Sequence, residues 1–338
     1  MKSIALLLSL LTITSVFAND PLEKDQWYLK YNTKIKGANI EKAWKILESN
    51  YQPVIAIIDA GFDVNHEDLK ESILINKGEI PNNGIDDDNN GYVDDYFGYN
   101  SNKKNGELAG DYDFQTKHGT AVAGVIAAKH NNGKGIKGVA KGIKIIPIVK
   151  PEPMAKRKEK LPHLIDAMRY AMDRGADIIS FSARLKVTSP EFKKVLRELN
   201  DKGILVIASS GNVGVENSTN RYPGAYADEF SNIIVVGSND KNGKRAKSSN
   251  YGDKSVHLFA PGVKIQTTHL SNTYGYSSGT SFSTPLVAAV AAMVLATHGP
   301  DARWTMRERL IKTSRPLKSL EGLSVSGGII DAFEALKD

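Results

Sequence analysis

The chain has 338 residues, of which 41% are hydrophobic and 24% charged, and it contains no cysteine. Such a composition belongs to a globular chain large enough for a sizeable core, and the lack of cysteine excludes disulfides, thiol nucleophiles and thiolate metal sites. The formal charge is +6; residues 1–18 carry one lysine and no acid, so the rest carries 6 − 1 = +5. That excess is small for the size, and no basic patch is interleaved with aromatics, so no nucleic-acid partner is expected.

In chain order, residues 1–18 read as a secretory signal. Lys2 supplies the charge, residues 4–16 are mostly apolar, and Val16-Phe17-Ala18 offers small residues for cleavage. The apolar run is shorter than the roughly 20 residues that span a bilayer. Cleavage near Asn19 would therefore leave no stable membrane anchor and a secreted or periplasmic product. Residues 19–338 read as one domain, because no repeat or Pro/Ser-rich linker divides them. An exported chain without disulfides is expected to draw its stability from a large core or bound metal.

Residues 54–58, 144–149, 178–181, 204–208 and 233–236 are nearly continuous aliphatic runs, the pattern of parallel strands covered on both faces. Helix-length segments at 120–129, 161–174 and 190–202 lie between them. The alternation predicts an α/β fold, doubly wound, with a mainly parallel sheet flanked by helices and sites at the carboxyl ends of the strands.

Chemistry-bearing residues fall at those ends. Asp59-Ala60-Gly61 leaves the first strand, where an aspartate is either half-buried or a turn former. Lys117-His118-Gly119-Thr120 opens an apolar helix and puts His118 at its N-terminus, where an imidazole can take a proton while an aspartate holds its other nitrogen. Ser209-Ser210-Gly211-Asn212 follows a strand; the Asn212 amide could donate to an oxyanion or simply make a turn. Gly279-Thr280-Ser281-Phe282-Ser283-Thr284-Pro285 precedes eleven apolar residues, 286–296, which read as a helix buried on every side. Pro285 is tolerated only in the first turn, so Ser281 sits at or just before the helix start, among free N–H groups that favour negative charge. From this segment alone Ser281 reads equally well as an N-cap.

Between Asp59 and His118, residues 78–102 contain five aspartates and no Lys or Arg. Asp86, Asp88 and Asn90 followed by Gly91 match positions 1, 3, 5 and 6 of a calcium loop. Tyr92 offers its carbonyl at position 7 and Asp94 a carboxylate at position 9, whereas position 12 is Phe97 rather than Glu. Calcium is the expected cofactor, because a hard divalent cation relieves the mutual repulsion of these carboxylates.

Taken together, the segments Val54-Ile55-Ala56-Ile57-Ile58-Asp59-Ala60-Gly61, His118-Gly119-Thr120, Ala176-Asp177-Ile178-Ile179-Ser180, Ser210-Gly211-Asn212, Ala260-Pro261-Gly262-Val263 and Gly279-Thr280-Ser281 resemble the subtilisin family of serine peptidases. The chain order Asp…His…Ser agrees. The resemblance implies a peptide-bond hydrolase with polypeptide substrates. Ser281 would be nucleophile, His118 general base and then acid, Asp59 the group that orients the imidazole, and Asn212 an oxyanion donor beside the Ser281 N–H. It also implies a second calcium site from Asn132 and the carbonyls of Lys134 and Ile136, with Asp68 and Asp20 as carboxylates. Ser182, Arg184, Gly211 and Arg221 would contact substrate.

Two departures stand out. Only a signal precedes the catalytic segment, so the chain is expected to fold unaided with calcium or to use a separate folding helper or inhibitor. The rim carries Lys156, Arg157, Lys158, Lys160, Arg184 and Arg221 where the family has Gly-rich strands or a small pocket residue. A preference for acidic residues near the cleaved bond is expected from these cations. A catalytically inactive peptide-binding relative is the rival reading, although no triad member is replaced. A lipase or esterase would need Gly-x-Ser-x-Gly, and residue 283 is Ser.

Overall fold

The computed structural model describes residues 19–150, 157–183, 185–216 and 221–338, with residues 157–160 described by backbone alone. The signal segment, Lys156 and Arg184 lie outside the described residues.

The strands are β1 (Val54–Asp59), β2 (Tyr99–Asn100), β3 (Lys144–Val149), β4 (Ile178–Phe181), β5 (Leu205–Ser209), β6 (Ile233–Asn239), β7 (Leu258–Pro261), β8 (Ile265–Thr268), β9 (Tyr274–Ser277), β10 (Arg315–Pro316) and β11 (Gly328–Ile329). The helices are α1 (Ile40–Ala43), α2 (Asp113–Ala127), α3 (Arg157–Asp173), α4 (Pro190–Asp201), α5 (Thr280–His298), α6 (Met306–Thr313) and α7 (Ala332–Leu336). Among the described residues one sheet runs β10-β11-β7-β6-β5-β4-β1-β3-β2, and β8-β9 forms a separate hairpin. Within the large sheet all pairs are parallel except β10–β11.

Strand residues alternate between two cores, as the two-residue side-chain period requires. Ile55, Ile57, Leu205, Ile207, Ile234 and Val236 pack with α2 and α5 on one face. Ala56, Ile58, Val206, Ile233 and Val235 pack with α3 and α4 on the other. This is the doubly wound α/β arrangement that the aliphatic runs predict. β3 and β4 keep their predicted limits; β1 extends to Asp59, β5 is shifted by one residue, and β6 continues to Asn239.

Helix α5 is buried from Thr280 to Ala296. It is long and apolar enough to cross a membrane, yet its apolar stretch is enclosed by the sheet, α2 and α7. Pro285 corrects one expectation, since it stands in the second turn, not the first. Its missing N–H leaves the Ser281 carbonyl without the usual partner four residues on. The Ser182 hydroxyl donates to that carbonyl instead, at 3.0 Å.

Helix α2 corrects another. It begins at Asp113, so His118 lies in its second turn and not at its N-terminus. The first turn exposes Phe114 and buries Gln115, so it has no apolar period to betray it. It is held by Gln115 Oε1, which accepts the Tyr112 N–H at 3.0 Å, and Asp113 suits the positive helix end.

Candidate active site

The carboxyl ends of β1, β4 and β5 meet the starts of α2 and α5. Asp59 ends β1 and is 2% exposed. Its Oδ1 lies 2.7 Å from His118 Nδ1 and also accepts the Ala60 N–H at 2.7 Å. Burial pushes the Asp59 carboxyl up, but the neighbouring His118, the hydrogen bond to it, Lys150 and the Ala60 N–H together hold it below the usual carboxylate range. The same pair works in the opposite direction on His118: the Asp59 charge raises the imidazole, burial opposes it, and the net shift is upward. An ionised Asp59 accepts from Nδ1–H, so Nε2 carries the lone pair and is the basic atom.

Close approach of two backbones makes this pair. A Cβ on Gly119 would collide with the Gly61 carbonyl oxygen, so only glycine lets α2 press its His118 turn against the chain leaving β1. The His118 ring packs beside Phe282, centroids 5.7 Å apart, which sets it at the start of α5 next to Ser281.

Ser281 is 8% exposed. Its hydroxyl donates to the Ser182 carbonyl at 3.2 Å and makes no hydrogen bond to His118 among the described residues. Its backbone N–H belongs to the first turn of α5, where N–H groups have no intrahelical partner. Asn212 is fixed by its carbonyl end, since Oδ1 accepts both the Thr280 N–H and the Thr280 hydroxyl at 2.9 Å. A backbone N–H can only donate, so this atom is the amide oxygen and Nδ2 is left to donate outward. Thr280 is a positioning residue that sequence reasoning missed; its place beside Ser281 in an N-cap context was the available signal.

The other substrate-side candidates divide. Ser182, after β4, is buried and bonded to Ser281 as described. Gly211 has φ +103, which glycine adopts without strain, and its carbonyl accepts the Asn250 N–H at 2.9 Å. Arg221 is half-buried and has no anionic partner among the described residues.

The acidic loop brings together part of its predicted set. Carboxylate oxygens of Glu79, Asp86 and Asp88 lie within 4.8 Å of one another. Asn90 joins Asp88, its amide 3.2 Å from Asp88 Oδ2, and its N–H bonds Asp86 Oδ1 at 3.0 Å. The side chain of Tyr92 points elsewhere, its hydroxyl donating to Asp173 at 2.7 Å. Asp94 is not in the cluster: its carboxylate accepts the N–H groups of Asn83 and Gly84 at 2.9 and 3.0 Å. Glu79, which the loop spacing does not reach, takes that place; it is 4% exposed and its Oε2 has no hydrogen-bond partner.

The second predicted set does converge. Asp20, 3% exposed, accepts the N–H groups of Asn131 and Asn132 at 2.8 and 3.1 Å. Asp68, fully buried, accepts from the Asn132 amide at 2.8 Å and the Ile136 N–H at 3.2 Å. Burial raises both carboxyls, Asp68 to about 6. The Lys134 ammonium turns away to Glu67 at 2.7 Å.

The model of the subtilase family matches residues 51–328, and the chain belongs to that family. It is 30% identical over 342 residues to Subtilisin-like protease 1 of Plasmodium berghei (strain Anka), covering 95% of this chain and 55% of the relative. It is 31% identical over 340 residues to Subtilisin-like protease 1 of Plasmodium falciparum (isolate 3D7), covering 94% and 47%. The chain thus spans about half the length of these relatives. Thermitase of Thermoactinomyces vulgaris is 30% identical over 296 residues, covering 88% of this chain and 92% of that protein. Among solved structures, a protease from Pseudoalteromonas arctica PAMC 21717 has a TM-score of 0.72 at 26% identity, with 95% of this chain and 98% of that one covered.

Proposed function

We propose that the chain is an exported serine endopeptidase that cleaves polypeptides through an acyl-enzyme on Ser281. The observation that carries this reading is the 2.7 Å Asp59–His118 pair beside the Ser281 turn of α5. His118 Nε2 takes the Ser281 proton as Oγ attacks the scissile carbonyl. The resulting oxyanion receives the Ser281 N–H and Asn212 Nδ2, both fixed before substrate arrives. His118 then gives the proton to the leaving amine, and water repeats the sequence to release the acid. Asp59 stays ionised and stabilises the imidazolium. Labelling of wild type by a fluorophosphonate, lost in Ser281→Ala, together with hydrolysis of casein, tests the reading; no labelling of a folded wild type would leave the inactive peptide-binding relative instead.

Calcium belongs to the same proposal. The acidic residues fit a hard cation: Glu79 Oε2 is buried and unpaired, and three carboxylates converge with no cationic side chain on them among the described residues. Glu79, Asp86, Asp88 and Asn90 would hold one ion. Asp20, Asp68, Asn132 and the carbonyls of Lys134 and Ile136 would hold a second. Bound calcium supplies charge compensation to the scaffold and takes no part in the bond cleavage.

A preference for acidic residues near the cleaved bond completes the reading, supported by the Arg221 guanidinium, which has no anionic partner among the described residues. Cleavage profiling of a peptide library tests it; a preference for large apolar residues that is unchanged in Arg221→Gly would end it.

A further inference from the structure

A cleft of about 500 Å³ opens between the segment leaving β1, the acidic loop, the residues before α2 and the β8–β9 turn. Its apolar lining comes from Phe62, Phe97, Leu108 and Leu270 among others, and its charged lining is wholly acidic: Asp63, Asp94, Glu107 and Asp113. No Lys or Arg lines it, on a chain whose net charge is positive. Of the four acids, Glu107 alone has a cation on it among the described residues, Lys103 at 2.7 Å, and Lys103 also reaches Asp111 at 3.1 Å. Asp63 bonds backbone N–H groups of Asn65 and Ser271, and Asp94 those of Asn83 and Gly84, so their positions are fixed while their charge is uncompensated. Beside Asp113, Tyr112 and Phe114 are 60% and 65% exposed and stack at 5.8 Å, presenting π faces to solvent.

The cleft is continuous with the catalytic backbone. Phe62 N–H donates to the Leu108 carbonyl at 2.8 Å, and Gly110 N–H donates to the Thr116 hydroxyl at 2.8 Å. Phe62 lies three residues after Asp59 and Thr116 two before His118, so two lining residues of the cleft flank the Asp59–His118 pair along the chain. An apolar floor, fixed carboxylates and exposed aromatic faces suit an aliphatic stem ending in a cation.

We propose that this cleft is an exosite for a Lys- or Arg-bearing segment of the polypeptide substrate, separate from the residues at the cleaved bond. The proposal rests on the peptidase reading for what the occupant is, but its test does not require turnover. Exposed ion pairs each contribute roughly 1.4- to five-fold in affinity, so two lysines give an effect of about two- to twenty-five-fold.

The experiment measures fluorescence anisotropy of a labelled ten-residue peptide carrying two lysines and a phenylalanine, against its twin with both lysines replaced by glutamine. The protein is the full chain with Ser281→Ala, in calcium. The lysine peptide is expected to bind about five-fold tighter at low salt, with the difference shrinking as salt rises. Adding Glu107→Gln and Asp113→Asn, both exposed and with Lys103 still held by Asp111, is expected to cut the difference to about two-fold, with Asp63 and Asp94 remaining. Equal binding of the twins, or a difference unchanged by both substitutions, overturns the exosite. Fluorophosphonate labelling of the wild type reports separately on the peptidase reading, so either can fail alone.

Discussion

The Asp59–His118–Ser281 site and the acidic loop of residues 76–95 are built by opposite means. Asp59 and Ser281 stand on elements that are buried on every side, and apolar packing of β1 and α5 against two cores fixes where they point. The acidic loop has few apolar residues and holds its shape by carboxylates bonding backbone N–H groups, as Asp86 does with Asn90 and Gly91. Within that loop Asp95 shows what compensation looks like: it is fully buried and neutralised by Arg174 at 2.6 Å and the Tyr170 hydroxyl at 2.7 Å. Glu79, Asp86 and Asp88 have no such partner among the described residues. The centre's geometry is thus set by apolar packing, whereas the loop's geometry is set by hydrogen bonds from backbone N–H groups to carboxylates.

The largest expected effect separates chemistry from folding. Asp59→Asn should lower kcat/KM by roughly 10⁴, the scale known for the orienting aspartate of such triads, subtilisin included. The pH profile gives the sign. Asp59 raises the His118 pKa, and the neutral imidazole is the base, so wild-type activity is lost as pH falls through that raised value. Without the charge the acid limb moves to lower pH; a limb that stays in place would remove Asp59 from the role assigned to it.

A core change should break the centre without touching its chemistry. Leu286, fully buried in α5, is expected to cost about 2–5 kcal/mol of stability when replaced by alanine. Activity should fall only with the folded fraction in a urea titration, and excess calcium should not restore the lost packing. A specific activity that drops while the chain remains folded would mean that α5 positions Ser281 less rigidly than the packing implies.

The acidic loop should respond the other way. A ligand at a hundred times its dissociation constant stabilises by about 2.7 kcal/mol, so chelation should lower the melting temperature measurably. Glu79→Gln should shrink that calcium increment and leave kcat/KM at 25 °C within about two-fold of wild type. An unchanged increment would take Glu79 out of the cation site.

The two regions also differed in how legible they were. Strand runs, the Asp59 and Ser281 contexts and the buried helix could be read because burial writes itself as continuous apolar sequence. The start of α2 could not, because its first turn carries no apolar period, and so His118 was placed one turn too near the helix end. Pro285 was read by a local rule, and a distant Ser182 hydroxyl overrode it. In the loop, the spacing names Asp86, Asp88 and Asn90, which lie together, and Asp94, whose carboxylate bonds the Asn83 and Gly84 N–H groups instead, and it does not reach Glu79, which joins the cluster. Ligands folded in from outside a linear motif leave no periodic trace, and a carboxylate can equally well cap a neighbouring turn.

The second cation set gives the smallest expected effect and the finest test of the comparison. Burial raises Asp68 to about 6, against the roughly 3.9 of an unfolded chain. In chelator the folded state therefore keeps a proton that the unfolded state releases. Asp68 contributes most below about pH 4, and its contribution is lost as pH rises through 6. Calcium requires the ionised carboxylate, so its stabilising increment must grow over the same window. Measured as the difference in unfolding free energy with and without calcium, the increment should rise by about 1 kcal/mol between pH 5 and 7. The Glu79→Gln background removes a further buried carboxyl raised in the same direction, leaving Asp20 and Asp68 of the second set. Adding Asp68→Asn should flatten the increment across that range. A slope that persists without Asp68 would assign the proton to another group and leave the buried pair of Asp20 and Asp68 as a hydrogen-bonded structural joint, built by packing like the catalytic centre and not by charge like the loop.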